Sequence, residues 1–158
     1  MISSHVCNKT LGEMCPVANR STLQEDGRDL FIVAGVNHNA TNRALYSSIS
    51  MYFARRVESI GGFDSLTKKL SIRSYMGSAD EYISNTNISK YFYVVAFSRK
   101  CKEDDRFCIE VKASGTNSLP VTESGVFIER SYLDHMQAGP SKDAHIKPIV
   151  YHFSSTQF

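Results

Sequence analysis

Short apolar runs separated by polar turns constrain the fold of this chain more than any other feature of its sequence. Each run is rich in β-branched and aromatic residues and is bounded by turn-forming or charged residues, which is typical of β-strands. The runs span residues 30–36, 91–97, 107–111, 125–133 and 149–153. Five or six strands spaced by turns predict a mainly β fold, an antiparallel β-sandwich or barrel-like sheet with one or two short helices.

Residues 41–60 fit two patterns. Leu45, Ile49, Phe53 and Val57 recur every four residues, whereas Leu45, Ile49, Met51 and Phe53 also fit a period of two. The serines and tyrosines of this segment favour a strand, which is our prediction. If the segment is helical instead, the fold becomes α+β.

Two local motifs predict smaller features. Ser78 and Glu81 have the spacing of a capping box, which predicts a helix of one or two turns ending at Asn85. The runs at 91–97 and 107–111 flank a polar turn, so we expect them to pair antiparallel as a hairpin.

The first part of the chain is polar and differs from the rest. Residues 1–29 lack a sustained hydrophobic period, which predicts an arm or long loop carrying its own local disulfide. Residues 30–158 then form a single β-rich domain, because a chain of 158 residues suits one hydrophobic core. Residues 1–21 lack the apolar centre of a signal peptide, so we expect that a leader was removed or that the chain is processed from a larger precursor.

The four cysteines fall as two close pairs, Cys7 with Cys15 and Cys101 with Cys108. Short loops close easily, and each bridge would stabilise the fold by about 2 kcal/mol in the loop-entropy model. Neither pair has the Cys-x2-Cys spacing of a zinc motif, so we predict two local disulfides and no metal site. The alternative is four buried thiols in a reducing cytosol.

Four Asn-x-Ser/Thr triplets, at Asn8, Asn19, Asn39 and Asn87, are candidate N-glycosylation sites. Glycans of this type attach to exposed segments of exported proteins. Because the triplets and the paired cysteines point to the same compartment, we predict an extracellular or cell-surface protein.

Charge and hydropathy argue against several kinds of partner. A net charge of +2 over the whole chain gives little long-range field, so neither nucleic acid nor an anionic membrane is expected as a partner. No stretch approaches the roughly 18 apolar residues needed to cross a bilayer, so we expect no transmembrane segment.

Histidines are the main candidates for a ligand-binding site. His38 directly follows the first strand, and it would form a cluster with His135, His145 and His152 if the sheet brings the strand ends together. A glycan on Asn39 would crowd such a site. Nothing in the spacing of the histidines requires the cluster, and a loop histidine bonded to backbone is the simpler interpretation.

The sequence contains none of the enzyme motifs that would identify a catalytic residue. Glu110 and Glu129 could pair across strands like glycosidase carboxylates, although charges that alternate with apolar residues are typical of any half-exposed strand. The sequence contains no nucleophile elbow, phosphate loop or metalloprotease motif. We therefore predict no catalytic residue and no cofactor.

The first hypothesis is an extracellular, non-enzymatic structural or adhesion domain. It would assemble into a homo-oligomer or filament through residues 1–29 and through exposed sheet edges, which can accept a neighbour's strand. The alternative is a carbohydrate-binding module or small secreted hydrolase that uses His38 and His135, with a glycan as its ligand.

Overall fold

Strands form where the apolar runs predict them. The structure, a computed structural model, describes residues 22–25, 27, 29–56, 58–66, 73–132 and 146–153. Within these ranges the elements are β1 (Leu30–Val36), β2 (Tyr46–Phe53), β3 (Glu58–Asp64), β4 (Arg73–Ser74), α1 (Thr86–Ser89), β5 (Phe92–Ser98), β6 (Cys108–Glu110), β7 (Gly125–Tyr132) and β8 (Ile149–Phe153).

The strands form two four-stranded sheets that pack face to face. Sheet I has the order β6-β5-β1-β8, and sheet II has the order β4-β3-β2-β7. Phe31 and Phe97 of sheet I meet Phe127 of sheet II with ring centroids 5.4 and 5.1 Å away. The predicted mainly β, sandwich-like fold is confirmed.

The core lies between the sheets because one face of each strand is apolar. Phe31 and Val33 of β1 and Phe97 of β5 are fully buried on the inner face of sheet I. Ile49 of β2 and Phe63 of β3 are fully buried opposite them. Each large apolar side chain removed from water in this way stabilises the fold by about 1.5–3 kcal/mol.

Within residues 41–60 the described regular structure is strand, β2 and the start of β3, as the serines and tyrosines indicate. β2 runs through the middle of sheet II between β3 and β7, and seven of its eight residues are buried. Ser47, Ser48 and Ser50 are among them, along with the apolar residues of the strand. Small hydroxyl side chains suit such a position because they fill little space and can bond locally.

The predicted hairpin between β5 and β6 is wrong, because these strands are parallel. Ala96 lies beside Cys108, and the Ala96 amide donates to the carbonyl of Phe107 at 2.8 Å. Parallel neighbours normally need a long crossover. Only the last three residues of β5 pair with β6, so the connection of residues 99–107 returns the chain by only about 7 Å.

Cys101 and Cys108 form a disulfide within this connection, with their Cα atoms 5.8 Å apart. The bridge ties the connection to the first residue of β6 instead of pinning a hairpin. Cys7 and Cys15 lie outside the described residues, so their predicted pairing stays a prediction.

The helix predicted at the capping box is also wrong in position. Residues around Ser78 form turns, and the Ser78 hydroxyl accepts the Val94 amide of β5 at 3.0 Å. Its oxygen therefore serves the sheet instead of a helix end. The short helix α1 begins later, after Asn85, whose side chain accepts the amide of Asn87 at 3.0 Å.

The described end of the predicted arm packs on the domain. Leu23 is fully buried in the core, and Asp29 is 1% exposed. The Arg99 guanidinium donates to the carbonyl of Leu23 at 2.8 Å, which holds this segment against the sandwich. Residues 1–21 of the arm lie outside the described residues. No helix in the described ranges is both long and apolar enough to span a membrane.

Candidate functional site

The outward side of sheet I is mostly apolar along three neighbouring strands, with Ser98 at the end of β5 as its polar member. Strand register places Ile32 of β1 between Tyr151 of β8 and Ala96 of β5, all pointing away from the core. We call this surface the outer face; its nine residues are Leu30, Ile32, Ala34, Phe92, Val94, Ala96, Ile149, Tyr151 and Phe153. None of them is charged.

β8 contributes the most exposed part of the outer face. Ile149, Tyr151 and Phe153 are 52%, 48% and 46% exposed. Between them, Val150 and His152 point inward, and the His152 ring stacks on Phe31 at 4.4 Å. β8 pairs with β1 alone among the described strands, so it also forms an edge of sheet I.

A buried polar cluster lies between the sheets, far from solvent. The Tyr93 hydroxyl donates to Oε1 of Glu129 at 3.0 Å, and the rings of Tyr75 and Tyr93 stack with centroids 4.6 Å apart. The Tyr75 hydroxyl bonds to the hydroxyl of Ser47. Gly35 makes room for this arrangement, because a Cβ there would lie 2.5 Å from the Tyr93 oxygen.

Burial changes the protonation of this cluster. It raises the pKa of Glu129 to about 8, although the bond from Tyr93 acts in the opposite direction. Burial also raises the pKa of Tyr75 and Tyr93 above their ordinary value. The carboxyl group is therefore protonated at neutral pH. Because Tyr75, Tyr93 and Glu129 are at most 2% exposed, a substrate cannot reach them in this structure.

His38, the main sequence candidate, is a buried loop residue. It is 1% exposed, and burial lowers its pKa, so the neutral ring is favoured. Its carbonyl accepts the amides of Arg43 and Ala44 at 2.9 and 3.0 Å, which shapes the turn after β1.

The predicted histidine cluster does not form between His38 and His152. His152 lies beside Phe31, near the start of β1, whereas His38 follows the end of that strand. At about 3.3 Å per residue, the two histidines are roughly 20 Å apart. His135 and His145 lie outside the described residues. No group of three or more His, Cys, Asp or Glu side chains in the described part of the chain is placed to hold a metal ion.

The two glutamates considered as a glycosidase-like pair lie in different sheets. Glu110 is exposed at the end of β6, and Glu129 is buried on β7. They cannot act together across one bond, so this alternative is wrong.

The two sequons in the described ranges differ in their surroundings. Nδ2 of Asn39 donates to the carbonyls of Ala44 and Leu45 at 3.2 and 2.7 Å. A glycan would take one of the two hydrogens that make these bonds. Asn87 is exposed in α1, and among the described residues none is hydrogen-bonded to its side-chain amide. Asn8 and Asn19 lie outside the described residues.

An open groove of about 750 Å³ lies beside the turn between β2 and β3. Its walls carry hydroxyl and amide side chains together with Arg56, Glu58 and Glu123. Glu123 forms an exposed ion pair with Arg55 at 3.1 Å. Phe53 and Pro120 also line the groove, so its surface is partly polar and partly apolar.

The outer face was missed by the sequence analysis, which identified β8 only as a strand. A signal was present, since residues 30–36 are apolar at both alternating sets of positions, and residues 149, 151 and 153 are all large and apolar. Comparison with protein-family models, curated proteins and solved structures found no match to this chain. Its function is therefore inferred from these surfaces and from the buried cluster.

Proposed function

We propose that this chain is a non-enzymatic structural or adhesion domain that works outside the cell and assembles with copies of itself. The outer face carries this proposal. Contiguous exposed apolar surface is uncommon on proteins that act alone and marks sites of association. Tyr151 and its neighbours offer such a surface on a regular sheet, which is a rigid platform for a partner.

The buried cluster supports a binding role over an enzymatic one. Glu129 has a strongly raised pKa, as many catalytic acids have. Its carboxyl lies in the core, however, and accepts a hydrogen bond from the Tyr93 hydroxyl, which is a structural role. The most perturbed carboxyl of the described chain thus lacks the access to substrate that catalysis requires.

The disulfide and one sequon support an extracellular location. The Cys101–Cys108 bridge is of a kind that persists in oxidising compartments and is rare in the cytosol. Asn87 lies on an exposed turn of helix, which is accessible to solvent. We expect Asn87 to carry a glycan more often than Asn39, whose amide is already bonded.

Intact mass of the protein from its natural source tests the location. Reduction is expected to add two hydrogens for each disulfide, and enzymatic removal of N-glycans is expected to lower the mass. Peptide mapping should then find the modification at Asn87. An unchanged mass after both treatments would contradict an extracellular life.

Assembly through the polar arm is tested by truncation. Removing residues 1–21 leaves the buried Leu23 and the tether from Arg99 in place. If the arm joins copies, the truncated chain should have a smaller mass by light scattering than the full chain. An unchanged mass would leave the sheet surfaces as the site of association.

Carbohydrate binding is a second candidate, favoured by the partly polar groove. Carboxylates, hydroxyls and amides of the kind lining it form hydrogen bonds with sugar hydroxyls. A panel of simple oligosaccharides, titrated while amide NMR signals are followed, is expected to shift residues near Glu58 and Thr116. A Glu58→Ala variant should weaken any such shift, and signals that stay unmoved for the whole panel would dismiss this candidate.

A further inference from the structure

We propose that two copies of this chain pack outer face against outer face about a two-fold axis that passes near Tyr151. This inference rests on the self-assembly part of the proposed function and names the surface, the partner and the geometry. The partner is a second copy, and the contact is the packing of one sheet on another.

The register of β8 is the first observation. The strand turns its three largest apolar side chains, Ile149, Tyr151 and Phe153, toward solvent and its smaller Val150 and polar His152 toward the core. A shift of one residue would reverse these positions. His152 holds the observed register by stacking on Phe31, and its Nε2 lies 3.8 Å from the buried carboxylate of Asp29.

This register is unfavourable for a chain that stays alone in water. The side chains with most apolar surface remain half exposed, while a position in the core is occupied by an imidazole. The arrangement becomes favourable when a second apolar layer covers Ile149, Tyr151 and Phe153. β8 thus carries large side chains on both faces, and within the described ranges only its inner face is covered by another layer.

The chemistry of the outer face fits a copy of itself. A charged partner would be recognised by complementary charges, and the nine outer-face residues carry none; Glu110 of β6 lies beyond them, beside Ser98 at the end of β5. A regular apolar sheet, by contrast, is complementary to an identical sheet turned about a two-fold axis. Sheets I and II already pack in this way within one copy, through facing apolar residues such as Phe31 and Phe127.

The available area sets the expected strength. Half-exposed Ile149, Tyr151 and Phe153 leave on the order of 300 Å² of apolar surface on one copy. With the partly exposed Leu30, Ile32 and Phe92 added, two copies would bury on the order of 1,000 Å², which is the lower end for a specific interface. A reversible dimer with a dissociation constant of roughly micromolar order is expected.

Sedimentation equilibrium over a range of concentrations tests the dimer. The chain has a mass of 17.7 kDa, so the average mass should rise from that value toward twice that value with concentration. Tyr151→Glu places a charge in the middle of β8, the most exposed strand of the outer face, and Ile149→Lys places one two residues before it. Each variant is expected to weaken association at least tenfold.

Tyr132→Glu is the matched control. Tyr132 is a strand tyrosine with 56% exposure, close to that of Tyr151, but it points outward from sheet II. The control should dimerise like the unchanged chain, and near-ultraviolet circular dichroism should show that all variants fold. A wild-type mass that stays at the monomer value, or equal weakening by Tyr132→Glu and Tyr151→Glu, overturns the proposal.

Two further measurements distinguish this contact from other uses of the same surface. Pairing of β8 edges between copies would slow hydrogen exchange at β8 amides on dimerisation, whereas face packing slows no edge amide selectively. Phosphatidylcholine vesicles test whether lipid is the true cover. Selective protection of the β8 edge, or co-sedimentation with vesicles in place of dimerisation, also overturns the proposal.

The outcomes remain separable from those of the proposed function. A monomer that carries glycans and disulfides would reject the face-to-face dimer and keep the extracellular domain. A dimer that depends on Tyr151 but comes from an unglycosylated, fully reduced protein would keep the interface and reject the extracellular role.

Discussion

Glu129 is an acid held inside an apolar core, where it accepts a hydrogen bond from the Tyr93 hydroxyl. The Tyr93 hydroxyl reaches it across 36 positions of sequence, from the opposite sheet. Burial raises the pKa of the carboxyl to about 8, well above its ordinary value of 4.5. The folded state therefore holds a proton that the unfolded chain releases at neutral pH.

Stability should consequently fall as pH rises. Because the folded pKa of Glu129 is the higher one, its full contribution is present below pH 4.5 and is lost as pH rises through about 8. Between the two values the free energy of unfolding should fall by up to about 1.4 kcal/mol per pH unit. Glu129→Gln is expected to remove this slope, as measured by urea unfolding from pH 6.5 to 9.

The part of the window above about pH 7.5 keeps His38 out of the measurement, because the ordinary pKa of a histidine is 6.5. Burial lowers the pKa of His38, so its own contribution is lost only as pH falls. Glu110→Gln serves as the control, because Glu110 is exposed on β6 and should leave the slope unchanged. A slope that persists in Glu129→Gln would contradict this account.

Gly35 is the second residue on which the cluster depends. An added Cβ would lie 2.5 Å from the Tyr93 oxygen and 2.6 Å from the ring carbon that bears it. Gly35→Ala should therefore displace the Tyr93 hydroxyl from Glu129 and lower the free energy of unfolding by about 1–3 kcal/mol. Gly61→Ala is the comparison, since its nearest neighbour is a flexible Ile109 methyl at 3.0 Å. Equal losses in the two variants would show that the Tyr93 contact is unimportant.

Neither of these residues is identifiable from sequence. Phe127 and Ile128 precede Glu129 and are both apolar, so alternation does not tell which face of β7 is the inner one. A charged residue in a strand then suggests the solvent side. The hydrogen bond that makes the inner position tolerable comes from Tyr93, and no local pattern predicts a contact so distant in sequence.

At the scale of elements, strand positions were predictable because strand propensity is local. β1, β5, β7 and β8 lie where continuous or alternating apolar runs predict them. Pairing direction depends on the path of the residues that connect two strands. Here β5 and β6 pair in parallel instead of forming the expected hairpin. The Ser78 capping box failed for a related reason, because the Val94 amide competes for its hydroxyl.

Arg99 shows how one side chain joins elements that do not pair. Its guanidinium lies within hydrogen-bonding distance of four carbonyls, those of Leu23, Val111, Lys112 and Leu119. A lysine ammonium is more compact and cannot contact all four carbonyls at once. Arg99→Lys is expected to lower the free energy of unfolding by about 2 kcal/mol and to speed hydrogen exchange in residues 111–119.

Arg55→Lys provides the reference for that substitution. Arg55 is exposed, and its guanidinium forms a surface ion pair with the Glu123 carboxylate at 3.1 Å. Pairs of this kind contribute little, so the same chemical change should cost less than about 0.5 kcal/mol. Similar costs at both arginines would mean that the carbonyl contacts of Arg99 contribute nothing specific.

At the scale of the whole molecule, an association through the outer face should respond to salts in a distinctive way. The interface contains no charged residue, so screening by sodium chloride between 0.05 and 0.5 M should change the dissociation constant by less than about threefold. Sodium sulfate should strengthen association, because it favours burial of apolar surface. Sedimentation in both salts checks this, and a steep loss of dimer in sodium chloride would indicate a charged interface instead.

The central position of β1 in sheet I also governs when the molecule can acquire its shape. β1 is the first described strand along the chain, yet one of its neighbours is the last, so that Val33 lies beside Val150. Contacts between such distant segments close slowly. During synthesis one edge of β1 stays unpaired until β8 emerges. A chain interrupted before that point would present a long, uncharged strand edge to any other nascent chain.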